Sequence, residues 1–201
     1  MTGGVAVGRG AAVARLVAVV VGAGVAAALA GGCSLARTTP TLRHWVLAAP
    51  RPAGPALPAP VRIGTVTADQ AYASSRLAVR TSPYGIEYRV YDRWAAPPRM
   101  LVANALRDAL AQDAGSGAPV EVDAEVRRLE GVSVEPQGAR GDLVLALRAT
   151  QGGAVLLERT YEESEPAASD DAEAVAAALS RALGRVVARF REDLRAALAG
   201  G

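Results

Sequence analysis

The chain has 201 residues, 51% of them hydrophobic, which is enough for one core of ordinary size and fits neither a disordered polymer nor a multi-span membrane protein. Its formal charge of +2 sits at one end: residues 1–32 hold Arg9 and Arg15 and no acid, so 20 arginines face 20 acids in the remainder. A neutral remainder excludes nucleic acid as a partner, because that footprint needs clustered excess positive charge on the folded domain.

Residues 1–10 are short, polar and positive, and from Leu16 to Ala30 run fifteen residues without a charge. A membrane span needs about 20 apolar residues, whereas the apolar region of a secretory signal takes about 7 to 15 and ends in small residues. Residues 1–32 therefore read as a signal peptide that is removed. Ala30, Gly31 and Gly32 lead into Cys33, the only cysteine. This resembles a bacterial lipobox, in which acyl chains are attached to the thiol and the signal is cut just before it. Ala30 stands where a large aliphatic residue is usual, with Leu29 one position further away. The alternative is an unmodified thiol after an ordinary signal or inside an anchor helix. One acyl chain holds a protein to a membrane only reversibly and two or more hold it stably. With Cys33 acylated the mature chain has no thiol for a disulfide. Ser34, rather than Asp, after the cysteine matches the lipoprotein sorting pattern for the outer membrane.

Residues 33–60 read as the lipidated terminus, a short strand in "LRHWVLA" and a proline-rich loop with five prolines in residues 50–60. In the strand, Trp45 and Leu47 share one face and His44 and Val46 the other. From residue 61 the pattern is dense. "VRIGTVTA" alternates Val61, Ile63 and Thr65 against Arg62, Gly64 and Val66. "LAVRTSPYGIEYRVY" reads as a hairpin whose turn starts at Ser82, with Thr81 opposite Ile86, Arg80 facing Glu87, and a core face holding Leu77, Val79, Tyr88 and Val90. Tyr91 then points away from the core.

A helix follows Pro97 and Pro98, with Met100, Ala103, Leu106 and Leu110 at helical spacing. Residues 119–134 and 142–150 read as strands. Gly152 and Gly153 turn the chain into "AVLLERTYEE", whose register the sequence leaves open: a three-residue loop sets Leu147 opposite Leu157 and Leu143 opposite Tyr161, but Leu145 opposite Arg159. Asp170 and Glu173 resemble a capping box opening a terminal helix, with Val175, Leu179, Leu183, Val186, Val187, Phe190, Leu194 and Leu198 on one face. These faces are buried by an α+β architecture: a mostly antiparallel sheet of five to seven strands with two helices packed on one face, over residues 61–201.

The inventory argues against an enzyme, and no cofactor or metal is expected. His44 is the only histidine, so no histidine cluster can hold a metal, and acylation removes the one thiol. Serines 74, 75, 82 and 133 lack a nucleophile-elbow context, and "GARGD" lacks the spacing of a phosphate loop. Glu162, Glu163, Glu165, Asp170 and Asp171 read as a solvated acidic loop ahead of the helix. Arg181, Arg185 and Arg189 form an i, i+4 row, mutually repulsive unless paired with that loop, a partner protein or lipid headgroups. Tyr84, Tyr88, Tyr91 and Trp94 gather half of the eight aromatic residues into eleven positions.

"LAVRTSPYGIEYRVYDRWAAPPRMLVANALRDAL" resembles the central signature of the ABC-type transport auxiliary lipoproteins (PqiC-like). Arg93, Trp94 and Pro98 are its sharpest points. "HWVLAAP", the lipobox and the terminal helix also match, and Ala95-Ala96 stand where Glu is common after Ala. The resemblance implies a non-catalytic lipoprotein on the periplasmic face of the outer membrane. It implies as partners an ABC permease and ATPase with a mammalian-cell-entry (MCE) domain protein, moving lipids between the inner and outer membranes. Cys33 would anchor, the segment from Ser34 to Pro60 would give reach, and about 20 flexible residues span on the order of 25 Å as a coil. Tyr84, Tyr91, Arg93, Trp94, Arg181, Arg185 and Arg189 are the candidates for partner contact, and a homo-oligomer is left open. Two rival readings are an outer-membrane assembly lipoprotein that binds lipopolysaccharide or a barrel protein, and an anchored hydrolase using the acidic loop.

Overall fold

The computed structural model describes residues 40–48, 55–110, 116–133 and 138–200, so the leader, Cys33 and the lipobox lie outside the described residues. A compact unit runs from Thr41 to Gly201. Its seven strands are β1 (Arg43–Trp45), β2 (Val61–Ala68), β3 (Arg76–Ser82), β4 (Gly85–Trp94), β5 (Val120–Ser133), β6 (Ala139–Gln151) and β7 (Ala154–Pro166), with helices α1 (Pro98–Leu110) and α2 (Ala172–Gly200). They form one sheet in the order β1-β4-β3-β5-β6-β7, and β2 also pairs with β5. The long ladders, β5–β6 and β6–β7, are antiparallel, as is β3–β4. β1 joins β4 in parallel, while β2 and β3 lie end to end along one edge of β5, on Val120–Val126 and on Glu130–Val132. The α+β expectation holds, with some strands parallel.

α2 is placed by its apolar stripe. Val175, Leu179, Leu183, Val186, Val187, Phe190 and Leu194 are all buried, over Leu143, Leu145 and Leu147 of β6. At about 1.5 Å per residue its 29 residues extend roughly 43 Å, enough to cross the sheet. The helix settles closely at one point because two glycines, Gly131 and Gly141, are partners across β5–β6. A Cβ on Gly131 would lie 2.9 Å from Val175 Cγ1, and one on Gly141 would lie 2.9 Å from Leu179 Cγ and 3.0 Å from its backbone nitrogen.

Several local expectations are corrected. The β3–β4 turn from Ser82 to Gly85 stands as expected, but the register slips between Arg80 and Ser82, so Ile86 is opposite Arg80 rather than Thr81 and Glu87 is opposite Val79. Arg80 therefore does not face Glu87. Further on, Ala78 partners Tyr88 but Arg76 partners Arg93, so four residues of β4, 89–92, stand opposite Leu77 alone. This bulge breaks the alternation, and Tyr88 and Val90, expected in the core, are 37% and 66% exposed. β2 is also bulged, between Ile63 and Val66, so Val61, Ile63, Val66 and Ala68 pack against the core. Thr65 points out, its N–H donating to Asp123 Oδ1 at 2.7 Å.

In β6–β7 the turn is Gly152-Gly153, both at positive φ (59° and 85°), a conformation that side-chain-bearing residues rarely adopt. A register shift at Ala149/Thr150 then sets Leu147 opposite Arg159, Leu145 opposite Tyr161 and Leu143 opposite Glu163. In α1, Leu101, Val102, Leu106 and Leu110 are buried, whereas Met100 is 48% exposed. α2 is capped by Asp171, whose Oδ1 accepts the Ala174 N–H at 2.9 Å. Asp170 and Glu173 make no capping box, because the helix begins one residue later than the pattern suggested.

Candidate functional site

The arginine row of α2 lies along β7, and of the carboxylates expected in a loop Glu162, Glu163 and Glu165 belong to that strand, while Asp170 and Asp171 lie between it and α2. The spacing makes this work: i, i+4 on a helix advances about 6 Å and i, i+2 on a strand about 6.7 Å, so the two rows stay in step. Arg181 Nε reaches Glu165 Oε2 at 3.3 Å and its Nη2 donates to the Pro166 carbonyl at 2.7 Å. Arg185 meets Glu163 at 3.2 Å and also Glu165. Arg189 meets Glu163 Oε1 at 2.8 Å and donates to the Glu162 carbonyl at 3.0 Å. The row is thus not self-repelling; it holds α2 to the outermost strand and occupies two of its carbonyls. Nearby, the Tyr161 hydroxyl donates to Asp193 Oδ2 at 2.6 Å. That bond holds the Asp193 carboxyl below its ordinary range, while burial pushes the Tyr161 phenol up.

At the other end of the sheet, β1 is held by Asp92, a residue absent from the sequence-derived candidates. Asp92 is 6% exposed and accepts from the Trp45 indole at 3.0 Å and from Arg43 Nε at 2.9 Å. The signal was present in the sequence as an acid between tyrosines and Arg-Trp, but its partners are 47 and 49 positions away. Trp94 is 2% exposed, so it is a core residue rather than a contact surface. Arg93 is half-buried and sits between Arg76 on β3 and His44 on β1. Tyr84 occupies the hairpin tip at 98% exposure, and Tyr91 is 46% exposed.

A buried polar node joins β3, β5 and the 3-10 turn Gln70–Tyr72. Glu130, 1% exposed, accepts from Arg80 Nε at 2.6 Å, Arg80 Nη2 at 3.1 Å and the Tyr72 hydroxyl at 2.8 Å. Burial, then the Glu130 carboxylate, pushes the Tyr72 phenol up to about 12. A pKa raised on folding stabilises the fold below the unfolded value, near 10, and loses that contribution as pH climbs toward 12. Urea midpoints should therefore fall between pH 9 and 11 in the wild type and fall less in Tyr72→Phe, which costs about 1–2 kcal/mol at neutral pH. Equal alkaline losses in both proteins would remove this assignment.

The sheet face opposite the helices is uncovered over β2, β5, β6 and β7. It forms a concavity of about 620 Å³ lined by Thr65, Thr67, Glu125, Arg127, Arg148 and Glu158, among others. Arg127 pairs with Glu125 at 2.7 Å and Arg148 with Glu158 at 3.7 Å. Among the described residues no three His, Cys, Asp or Glu groups are placed to hold a metal, and no helix is long and apolar enough to cross a membrane. The arrangement is one of exposed patches on a scaffold, suited to contact.

Solved structures resemble this fold. Protein XCC0632 from Xanthomonas campestris aligns with a TM-score of 0.66 at 22% identity, covering 80% of this chain and 95% of that one. A second crystal structure, of an uncharacterized protein, aligns at 0.61 and 15% identity over 76% of this chain and 98% of its own. Among curated proteins none matches the sequence. The sequence model of one family matches residues 45–190, from the tryptophan of β1 to the central phenylalanine of α2. The chain belongs to that family, the ABC-type transport auxiliary lipoprotein components.

Proposed function

We propose that the protein is a non-catalytic, lipid-anchored component of an MCE-type ABC transporter, held by acyl chains on Cys33 at the periplasmic face of the outer membrane and serving lipid movement between the two membranes. Family membership over residues 45–190 carries this reading. The deployment of charged groups supports it, since Glu163 and Glu165, two of the acids read as a catalytic candidate loop, are bonded to the arginines of α2. The tether is shorter than the whole segment to Pro60. β1 is paired to β4 from Arg43, so only residues 34–42 stand between Cys33 and the sheet along the chain.

The surface offered to the MCE-domain partner is the uncovered sheet face, a concave surface lined by Thr65, Thr67, Glu125, Arg127, Arg148 and Glu158 among others. Arg127→Glu combined with Arg148→Glu should lower copurification with the MCE protein at least tenfold, because like-charge juxtaposition replaces complementary contact. Unchanged copurification would move the contact elsewhere. Radiolabelled palmitate should enter the wild type and not Cys33→Ser, and the variant should leave the outer-membrane fraction.

A further inference from the structure

The bulge of β4 does something unusual at an otherwise well-packed sheet: it displaces two large side chains into solvent. Val90 is 66% and Tyr91 46% exposed. Leu42, 45% exposed, immediately precedes Arg43, the partner of Asp92, and so lies beside Tyr91. Tyr84, 98% exposed at the hairpin tip, is a separate exposed aromatic seven residues back along the chain, no more than about 23 Å away at 3.3 Å per residue. Contiguous exposed apolar side chains rimmed by polar ones mark an interaction site, and tyrosines suit a boundary that is apolar on one side and wet on the other.

The charge beside the strip is also unbalanced. Arg76 and Arg93 are cross-strand partners, and His44 continues the same row on β1. Like charges placed opposite one another on a sheet are unfavourable. Among the described residues neither Arg76 nor Arg93 makes an ion pair, although twelve other ion pairs are formed there. Such a pair is favourable when an anion from outside the domain lies against it, and guanidinium groups are well matched to phosphate. The third observation is reach. Eight residues lie between Cys33 and Leu42, so even a fully extended link keeps Leu42 within about 30 Å of the lipid attachment.

We propose that this corner, comprising Leu42, Tyr84, Val90 and Tyr91 with Arg76 and Arg93, rests on the bilayer that holds the acyl chains, its apolar side chains at headgroup depth and its arginines on anionic phospholipid phosphates. The proposal rests on anchoring through Cys33. It fixes the orientation of the domain, with the β1–β4 end down and the β6–β7 end away from the membrane.

The test uses the full acylated protein on phosphatidylethanolamine vesicles containing one quarter phosphatidylglycerol. Acylation blocks the Cys33 thiol, so Tyr84→Cys, Val90→Cys and, as a control on the uncovered sheet face, Arg148→Cys each offer one thiol for an environment-sensitive fluorophore. Headgroup-nitroxide lipid should quench the label at 84 and 90 at least threefold more than at 148. Omitting phosphatidylglycerol, or introducing Arg76→Glu, should reduce that difference by at least half. Equal quenching at the three positions on protein that floats with the vesicles would overturn the proposal and leave the anchor standing. Label changes at 84 and 90 that need added MCE protein would overturn it too, in favour of a protein surface. Uptake of label by the wild-type chain would instead remove the anchoring reading; selective quenching at 84 and 90 would then still support the corner, and its absence would dismiss it.

Discussion

Arg80→Ala should destabilise the domain by about 3–5 kcal/mol, the range for removing one partner of a buried ion pair. The Glu130 side chain is fully buried and Arg80 is only 25% exposed. The two guanidinium bonds are the main compensation for a carboxylate taken out of water. The Glu130 carboxylate in turn holds the Arg80 guanidinium above its ordinary range. Without Arg80, Glu130 retains the Tyr72 hydroxyl and a distant Arg128 at 3.8 Å. With urea slopes of about 1–3 kcal/mol/M for small domains, the midpoint should move by more than 1 M. The informative companion is Arg80→Met with Glu130→Leu. It removes both charges together and should recover most of the loss, because the pair itself offsets its own desolvation only narrowly. Arg127→Ala, at an exposed pair with Glu125, should cost no more than about 1 kcal/mol. If Arg80→Ala cost no more than that control, the node would not be a stability determinant.

Gly141→Val should cost about 3 kcal/mol, near the upper end of the overpacking range. The reason is the rigidity of what the new side chain meets. The Cβ alone would lie 3.0 Å from the backbone nitrogen of Leu179 and 3.2 Å from Ala178 Cβ, so relief requires moving α2 rather than rotating a side chain. Gly131→Ala is the milder comparison. Its Cβ meets Val175 Cγ1 at 2.9 Å and Cγ2 at 3.1 Å, side-chain methyls rather than helix backbone, and should cost less. Thermal unfolding of the three proteins ranks them, and a Gly141→Val protein as stable as wild type would mean that α2 is not seated where the glycines meet it.

Much of the architecture was legible one element at a time. The stripe from Val175 to Leu194 is continuous at period 3.6, and every one of its residues is buried. From β1 into the residues just after it, the half-buried Trp45 and Leu47 alternate with the exposed His44 and Val46. What misled the reading was the assumption of unbroken alternation. A period-2 rule changes sign at each bulge, and β2, β4 and the β6–β7 ladder each carry one. Tyr88 and Val90 were assigned to the core for that reason alone. In α1 the expected Ala103, Leu106 and Leu110 are buried, and only Met100, in the first turn, gives way to Leu101 and Val102.

The candidate contact residues divide in the same way. Local chemistry in the sequence determined where the one cysteine and the one histidine stand and that tyrosines cluster on the hairpin. The fate of the charges was decided only by tertiary structure, because an ion pair depends on which strands become neighbours. Arg80 found Glu130 fifty positions away instead of Glu87, and the α2 arginines found β7. Arg76 and Arg93 found each other. Periodicity records which face of an element is apolar; pairing across the sheet, which no local pattern records, sets which charges are neutralised within the domain and which remain for a partner.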